Sequence, residues 1–256
     1  MRCMILGAGL GTRLRPLTDH TPKILVPVLG VPMLGRLLAY LHQGGLTTLA
    51  MNTHHLAEAV EIYLAGFGGT HPALPRPRLF HEDVLLGTGG GLRNVAQFWG
   101  NDPLLVWNGD ILADLPPALL ANVQAKAGAA VTLAVQDRQG SSKLLVDEAG
   151  WLVGINSARR GLHRLVRDAQ GATRPLAFQG ISLATPALRQ HMPADGVFDL
   201  IDVLLDAVED GLPVNTLEMG HRFWGSSGTP AQLELLETGL QQRPDLLEDW
   251  SLPPQP

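Results

Sequence analysis

The sequence predicts an α/β fold of three layers, with helices on both faces of a mixed, mostly parallel central sheet. Short apolar runs alternate with segments of helical periodicity over the first half of the chain, a pattern typical of parallel strand-helix-strand units. In the second half, residues 143–146 and 151–156 are predicted as short antiparallel strands joined by a turn. With 256 residues, 45% of them hydrophobic, the chain can bury a full core in one domain.

The elements of the first half follow from their periodicity and from the glycines and prolines that flank them. Apolar residues recur at helical spacing between residues 33 and 44, where Gly44 and Gly45 end the helix. The second helix is predicted to end at Gly66, and residues 68–78, rich in glycine and proline, predict a loop. In chain order the predictions are a strand at 3–6, helix 33–44, strand 47–52, helix 56–64, a strand beginning at 79, helix 92–98, strand 104–107, helix 116–127 and strand 130–135.

The second half has fewer helices and less regular patterning. Besides the two short strands, it predicts strands at 176–183 and 214–219 and helices at 198–208 and 231–240. Residues 159–174 are charged and irregular, so we predict an exposed connection there. No regular pattern follows Arg243. We therefore predict one domain at 1–243 and a mobile tail at 244–256.

Composition excludes several classes of function. The net charge of −5 argues against broad nucleic-acid binding, which requires a basic face. A single cysteine, Cys3, excludes an internal disulfide and a thiolate zinc cluster. No apolar stretch reaches the ~18 residues of a membrane span. The chain enters its first strand at once, which leaves no room for a signal peptide, so we expect a cytoplasmic protein without membrane contact.

The residues that follow the first strand combine glycines with cations. Gly7 to Gly11 is a glycine-rich turn, in which missing Cβ atoms let backbone N–H groups approach an anion closely. Arg13, Arg15 and Lys23 then place positive charge beside the turn. The combination predicts a phosphate site, although Arg15 has the alternative of a surface ion pair. An ordinary strand-to-helix turn is the simpler explanation of a lone Gly-x-Gly, but it does not account for the cations.

The spacing of this turn excludes two common phosphate motifs. The Walker loop requires a Lys directly after its last glycine, and none stands there. The dinucleotide fingerprint requires a third glycine, but Gly9-x-Gly11 is followed by Thr12, Arg13 and Leu14.

Asp110 is the best candidate for a metal ligand. It follows a predicted central strand, and the carboxyl ends of parallel strands are where such sheets bind ligands. A carboxylate opposite a polyphosphate site suits Mg²⁺, whereas a turn-forming Asp is the plainer alternative. Asn52 could face the same crevice. His54 and His55 have no third ligand at suitable spacing, so we interpret them as loop histidines.

The pattern Gly-x-Gly-Thr-Arg followed by Pro-Lys, at residues 9–13 and 22–23, resembles the signature of the sugar-1-phosphate nucleotidyltransferases. The likeness continues through residues 86–92, 107–110, 178–181 and 224–230, about nine tenths of the chain. Among subgroups, the chain looks most like bacterial N-acetylmuramate-1-phosphate uridylyltransferases and short mannose-1-phosphate guanylyltransferase-like proteins. The resemblance implies a Rossmann-like fold of the nucleotide-diphospho-sugar transferase type. It also implies a Mg²⁺-dependent enzyme of nucleotide-sugar biosynthesis, monomeric or a small homo-oligomer.

The resemblance also assigns roles to residues. Nucleoside triphosphate and sugar 1-phosphate are the implied substrates, and Arg13, Lys23 and Asp110 are the implied catalytic residues, with Asp110 on the metal. Lys23 and Gly180 would hold the sugar phosphate. The implied nucleotide-binding residues are Leu6, Ala8, Gly9, Gly11, Thr12, Arg13, Glu82, Gly87 and Asn108. The second glycine cluster, Gly87 to Gly91, has two interpretations: its backbone approaches the nucleobase closely, or it is a flexible hinge.

The chain departs from the family at one metal position. The family's second metal Asp, in Trp-x-Asp-x-Gly-Thr-Pro, aligns with Ser226. A hydroxyl does not replace the charge of a carboxylate at a Mg²⁺ site. Asp199 and Asp202 are assigned surface or capping roles instead. Two alternatives therefore stay open: a catalytically weakened nucleotide-binding protein on the same fold, and cytidylyl transfer to a non-sugar phosphate.

Overall fold

The computed structural model describes residues 1–253, and its contacts divide the chain into two units. The first unit contains Met1–Leu85, Trp107–Asp114 and the chain from Phe223 onward. The second contains Leu86–Val106 and Leu115–Arg222. The single domain at 1–243 stays a prediction.

Strands and helices alternate within the described residues. The strands are β1 (Arg2–Leu6), β2 (Pro27–Val28), β3 (Val31–Pro32), β4 (Leu49–Thr53), β5 (Arg78–His81), β6 (Leu104–Asn108), β7 (Ile111–Ala113), β8 (Val131–Gln136), β9 (Ser142–Asp147), β10 (Leu152–Ser157), β11 (Leu162–Leu165), β12 (Thr173–Ala184), β13 (Val214–Glu218) and β14 (Trp224–Ser226). The α-helices are α1 (Met33–Gln43), α2 (Ala57–Thr70), α3 (Gly87–Asn94), α4 (Ala96–Trp99), α5 (Pro117–Ala127), α6 (Leu200–Glu209), α7 (Pro230–Gln241) and α8 (Pro244–Asp249).

The first unit carries parallel strands whose carboxyl ends meet at one edge. β1 pairs in parallel with β4, and β4 pairs in parallel with β5. The apolar stripe of α1 supplies much of the core, since Met33, Leu34 and Leu37 are fully buried. The short antiparallel pair of β7 and β14 sets Ser226 opposite Ile111, the residue after Asp110. The topology thus brings the ends of β1, β4 and β5 together.

The second unit is mixed. β8 pairs in parallel with β13 and antiparallel with β12. β9 joins β12 and β10 in antiparallel pairs, and β10 joins β11 in the same sense. The antiparallel strands predicted from residue 143 onward are therefore present, and the prediction of a mixed central sheet flanked by helices is confirmed. No helix among residues 1–253 is long and apolar enough to cross a bilayer.

Two predictions about glycine-rich segments were wrong. The second helix, α2, runs past Gly66 to Thr70, because the guanidinium of Arg76 donates to the carbonyls of Leu64 (2.5 Å) and Ala65 (2.7 Å). Gly68 provides the space for this guanidinium, since a Cβ there would lie 2.3 Å from Arg76 Nε. The helix predicted to begin at residue 92 begins at Gly87, because its glycines pack against a neighbouring segment of the second unit.

The charged segment at 159–174 contains a strand, which the sequence did not predict. Its arginines pair with carboxylates on α6: Arg160 with Asp202 at 2.7 Å and Arg164 with Asp206 at 2.8 Å. Asp202 therefore has the surface role expected of it. These partners lie 42 residues apart in the chain, so local patterning gives no sign of them.

The segment after Arg243 is helical, contrary to the irregular pattern predicted. Trp250 follows α8 with none of its surface exposed, and its ring contacts those of Tyr40 and Phe223. The buried side chain of Arg36 donates to the Trp250 carbonyl at 3.3 Å. Burial of one large aromatic side chain explains why a short polar segment is held in place. Mobility of the tail at 244–256 stays a prediction, and its residues 254–256 lie outside the described residues.

Candidate active site

The loop predicted to bind phosphate, Gly7 to Arg13 (the phosphate loop), leaves the carboxyl end of β1 and is held by hydrogen bonds at Gly7 and Gly11. The Gly7 N–H donates to the side-chain oxygen Oδ1 of Asn52 at 2.8 Å. At the other end, the Thr18 hydroxyl donates to the Gly11 carbonyl at 2.8 Å. Gly11 has a φ of 66°, in the left-handed region that favours glycine, and a 3-10 turn (Thr12–Leu14) follows it. Hydrogen bonds with Asn52 and Thr18 and the left-handed conformation of Gly11 therefore define the shape of the loop without a ligand.

Gly9 is the glycine of this loop that neither packing nor backbone conformation requires. The nearest neighbouring atom to an added Cβ would be Lys23 Cδ, at 3.8 Å, an ordinary contact. Gly9 instead lines a pocket whose other walls are Leu6, Gly7, Lys23, Ile24, Gly109 and Asp110. The missing side chain leaves space on the side of the loop where a ligand would approach.

The charged groups of this pocket are in direct contact. Lys23 Nζ lies 2.5 Å from Asp110 Oδ2, and both side chains are less than one fifth exposed. Lys23 is held by a 3-10 turn (Lys23–Leu25), and Asp110 by its place between β6 and β7. The structure thus brings together Gly9, Lys23 and Asp110, which the sequence places up to 101 positions apart.

Ser226 stands beside Asp110, where the family pattern has a carboxylate. Its hydroxyl donates to Asp110 Oδ2 at 3.4 Å and accepts the Gly228 N–H at 3.1 Å. The next residue, Ser227, donates its N–H to the Asp110 carbonyl at 2.9 Å. The structure therefore has a hydroxyl, where the family pattern has a carboxylate, within hydrogen-bond distance of Asp110.

The two arginines near the loop differ in environment. A guanidinium nitrogen of Arg13 lies 3.3 Å from where a Cβ on Gly228 would be, so Arg13 reaches the segment that carries Ser226. Arg15 is turned to solvent, with 61% of its side chain exposed, and forms an ion pair with Asp19 at 3.2 Å. Arg15 therefore has the surface ion pair that was its alternative interpretation.

The donor set near Asp110 limits which metals fit. Across residues 1–253 no cluster of three or more His, Cys, Asp or Glu side chains is arranged to hold an ion. One carboxylate with a neighbouring hydroxyl suits a hard cation that takes most of its ligands from substrate phosphates and water, as Mg²⁺ does. His54 uses Nδ1 to donate to the Glu82 carbonyl at 2.7 Å, in agreement with its interpretation as a loop histidine.

Glu82 is buried in the first unit. Only 2% of its surface is exposed, and its Oε1 accepts a hydrogen bond of 2.7 Å from Asn52 Nδ2. Its nucleobase contact stays a prediction. The sequence indicated Asn52 only by its place after a strand, yet Asn52 links Glu82 to the phosphate loop.

The second glycine cluster lies in the second unit and packs against Phe198. A Cβ on Gly87 would lie 2.6 Å from the Phe198 carbonyl oxygen, and one on Gly89 would lie 2.5 Å from the Phe198 ring. The N–H groups of Gly89 and Gly90 donate to that carbonyl at 3.0 and 3.2 Å. These glycines make a close backbone approach to the protein's own chain, and the nucleobase contact implied for Gly87 stays a prediction. The Thr88 hydroxyl binds Asp199 at 3.4 Å, beside the N-terminus of α6.

Gly180 lies within β12 of the same unit, with a φ of 71°. Beside it, the fully buried Gln179 accepts a hydrogen bond of 3.0 Å from Arg138 Nε. Burial lowers the pKa of Arg138 from its ordinary value. Arg138 could not be found by sequence reasoning, because its hydrogen-bond partner lies 41 residues away in the chain.

The remaining predicted nucleotide-binding residues lie near the loop or at strand ends. Leu6 ends β1 and lines the pocket, Ala8 is buried in the loop and Asn108 ends β6. Thr12 begins the 3-10 turn. The nearby thiol of Cys3 is buried in β1, and burial raises its pKa, as expected of a small apolar residue in a core.

A glycine loop, two cations and a carboxylate at the edge of a parallel sheet are an arrangement that suits a ligand with phosphate groups. Residues 2–144, more than half of the chain, match the family model described as nucleotidyl transferase. The chain belongs to this nucleotidyl transferase family.

Two relatives of the chain are named as uridylyltransferases, in agreement with this family. The chain is 30% identical to the N-acetylmuramate alpha-1-phosphate uridylyltransferase of Caulobacter vibrioides, with 89% of this chain and 91% of that protein covered. It is 28% identical to the UTP–glucose-1-phosphate uridylyltransferase of Synechocystis sp., over 86% of this chain but only 58% of that protein. The resemblance inferred from the motifs is confirmed.

A solved structure shows the fold. The inositol-1-phosphate CTP transferase of T. maritima superimposes with a TM-score of 0.73, covering 94% of this chain and 96% of that one at 19% identity. At this identity the likeness supports the fold alone. The predicted nucleotide-diphospho-sugar transferase fold is confirmed.

Proposed function

We propose that this chain transfers a nucleotidyl group from a nucleoside triphosphate to a sugar 1-phosphate and releases pyrophosphate. The observation that carries the proposal is the contact of Lys23 with Asp110 in a small pocket, about 40 Å³, where Gly9 adds no side chain. The names of the relatives specify this reaction class. A cytoplasmic location fits an enzyme that uses these two soluble substrates.

The chemistry follows from the charges. An oxygen of the sugar phosphate attacks the α-phosphorus, a new P–O bond forms, and the bond to the β-phosphate oxygen breaks with its electron pair leaving on pyrophosphate. The nucleophile is already an anion, so no general base is required. The protein's contribution is to position the reactants and neutralise charge. Lys23, which contacts Asp110 in the pocket, would bind the α-phosphate and the incoming phosphate, and Arg13 would stabilise the leaving pyrophosphate.

Asp110 would hold Mg²⁺ together with phosphate oxygens and water. When bound, the ion supplies positive charge to the α-phosphate. Because Asp110 is ion-paired with Lys23 in the described structure, Lys23 must yield part of this contact to a bound cation. We expect the Lys23 ammonium group to move from the Asp110 carboxylate to the substrate phosphates as they enter.

The test is a pyrophosphate-release assay over a panel of triphosphates and acceptors, with and without Mg²⁺. UTP with N-acetylmuramate 1-phosphate is the first pair to try, because the Caulobacter vibrioides relative matches this chain over most of both lengths. Glucose 1-phosphate and mannose 1-phosphate are the next acceptors. Turnover with one sugar 1-phosphate supports the proposal, and CTP-dependent turnover with a non-sugar phosphate alone would favour the cytidylyl alternative.

A second candidate rests on Ser226. Because a hydroxyl replaces the second carboxylate beside Asp110, the chain could bind nucleotides without turning them over. Nucleotide binding measured by calorimetry, with no pyrophosphate released from any pair in the panel, would support this alternative.

A further inference from the structure

We propose that Asn52 and Glu82 form a hydrogen-bonded relay that positions the phosphate loop for triphosphate binding. The relay runs from the Gly7 N–H to Asn52 Oδ1 at 2.8 Å, and from Asn52 Nδ2 to Glu82 Oε1 at 2.7 Å. Asn52 and Glu82 are positioning residues, since they act on bound phosphates through the loop. The inference rests on the proposed function, because it requires that the loop bind a triphosphate.

The relay begins where the backbone pairing between two strands ends. The register of β1 and β4 runs through Cys3–Leu49, Met4–Ala50 and Ile5–Met51 and goes no further. Beyond this point β4 still pairs with β5, up to Thr53 opposite His81. The Gly7 N–H therefore needs a new partner as the loop leaves the sheet, and the Asn52 side chain provides it.

The other end of the relay is fixed by the backbone around Glu82. The Glu82 N–H donates to the Thr53 carbonyl at 2.8 Å, and the Glu82 carbonyl accepts His54 Nδ1 at 2.7 Å. Asn52 and Glu82 are 3% and 2% exposed, so water does not compete for their hydrogen bonds. The side chain of Asn52 is thus held from both sides, and its direction at Gly7 is set.

The packing around Gly7 explains why this contact controls the loop. An added Cβ on Gly7 would lie 3.0 Å from the Asn52 carbonyl oxygen and 3.0 Å from Met51 Cγ. The loop therefore leaves β1 in close contact with β4, and the Asn52 hydrogen bond fixes the plane of the peptide between Leu6 and Gly7. Two residues later Gly9 lines the pocket. A loop that is ordered before binding pays less conformational entropy when phosphates bind.

The relay also gives Glu82 a role that differs from a nucleobase contact. A base contact would affect binding of a nucleotide but leave binding of a triphosphate without a base unchanged. Loop positioning affects both ligands to the same degree. Inorganic tripolyphosphate is therefore a probe that separates the two roles.

The experiment is calorimetric titration of the full chain with inorganic tripolyphosphate and with UTP. Asn52→Ala and Glu82→Ala should each weaken binding of both ligands about tenfold, which is the size of effect that one lost hydrogen bond has. Glu82→Gln keeps an acceptor oxygen for Asn52 and should bind nearly as the parent does. Asn215→Ala is the matched control: Asn215 is a buried sheet asparagine of the second unit that accepts Thr132 Oγ1 at 2.6 Å.

The outcomes are distinct. Folded Asn52→Ala and Glu82→Ala proteins that bind tripolyphosphate as the parent does would overturn the relay, and so would an equal loss in Asn215→Ala. If Glu82→Ala weakens only UTP, Glu82 is a base contact and the proposal fails. A Glu82→Gln protein as weak as Glu82→Ala also contradicts it. If the variants weaken tripolyphosphate binding while the parent shows no turnover, the relay stands and the proposed transfer reaction fails. A parent that binds no tripolyphosphate overturns both.

Discussion

The two glycine-rich segments of this chain have different physical reasons for their glycines. In the phosphate loop, Gly9 has no close neighbour that a Cβ would meet, and it lines a pocket with Lys23 and Asp110. In the second cluster, a Cβ on Gly87 or Gly89 would lie within 2.6 Å of Phe198. The missing side chain of Gly9 leaves open space beside the pocket. The missing side chains of Gly87 and Gly89 instead leave room for Phe198 of the protein's own chain. Glycine content alone therefore does not indicate a ligand, and the predicted phosphate site rests instead on the open Cβ position of Gly9 beside the paired charges of Lys23 and Asp110.

The first prediction concerns Asp110, the carboxylate beside the phosphate loop. Asp110→Ala should lower turnover about 10³-fold or more, at or beyond the upper end of what one lost electrostatic group costs, because it removes the carboxylate available for the metal. Initial rates of pyrophosphate release measure the effect. Asp102→Ala removes an exposed carboxylate two residues before β6 and serves as the control. Equal loss in both variants would show that the role assigned to Asp110 is wrong.

The cations beside the loop give the next largest effect. Lys23→Ala and Arg13→Ala should each lower turnover roughly 10²–10³-fold, since each removes one stabiliser of phosphate charge, and the loss of turnover should remain when each folded variant is compared with the parent at equal concentration of folded protein. Arg15→Ala is the matched control, because Arg15 belongs to the same segment but pairs with Asp19 at the surface. Rates at saturating substrate and denaturant unfolding are the measurements. Near-normal turnover in Lys23→Ala or Arg13→Ala would contradict the catalytic assignment of that residue.

One alanine in each glycine segment tests the comparison directly. Gly9→Ala should keep the free energy of unfolding within ~0.5 kcal/mol of the parent's value, as substitutions at unconstrained positions do. It should weaken tripolyphosphate binding about tenfold, because the added methyl group fills the pocket. Gly89→Ala should lower the free energy of unfolding by about 1 kcal/mol or more, because overpacking against Phe198 outweighs the gain in helix propensity.

The two variants are read together, by chemical denaturation and by calorimetry. The expected pattern is crossed, with one variant losing binding and the other losing stability. A stable Gly89→Ala protein with weak nucleotide binding would mean that the second cluster faces a ligand. A destabilised Gly9→Ala protein with unchanged binding would mean that the pocket beside Gly9 is not the phosphate site.

Much of the fold could be predicted because its signals are local. The helix that begins at Met33 and the strand that ends at Asn108 follow from apolar spacing and flanking turns. The errors arose where distant residues decide the local structure. Arg76 extends α2 past its glycines, the acidic face of α6 stabilises the strand at Leu162–Leu165, and burial of Trp250 orders α8.

The same distinction applies to the site. The motif predicted the cations, the glycines and Asp110, because the signature is contiguous or follows a recognisable strand. The resemblance predicts that Glu82 lies near the nucleotide. The hydrogen bond between Glu82 and Asn52 could not be predicted, because the two side chains are 30 residues apart in the chain. Contacts of this kind depend on strand order and register, which single-sequence patterns do not specify.

The smallest expected effect concerns Ser226, the position that separates the proposed enzyme from a nucleotide-binding protein. Its hydroxyl lies 3.4 Å from Asp110 Oδ2, so Ser226→Asp would place a second carboxylate beside the first. A second anionic ligand should lower the Mg²⁺ concentration for half-maximal rate several-fold and raise turnover, because two carboxylates attract and hold the ion more strongly than one. The Gly228 N–H donates to the Ser226 hydroxyl, and a carboxylate oxygen can accept the same bond.

Initial rates against Mg²⁺ concentration would be measured for the parent, for Ser226→Asp and for Ser226→Ala, which removes the hydroxyl without adding charge. If Ser226→Asp has no effect in an active parent, another group supplies the second contact and the alignment of this segment fails. If the parent binds nucleotide without turnover and Ser226→Asp restores it, the chain is a binding protein that lost its activity at this position. A rise in turnover from an already active parent means that one carboxylate, with the charges of Lys23 and Arg13 close by, is sufficient for the reaction and a second one improves it.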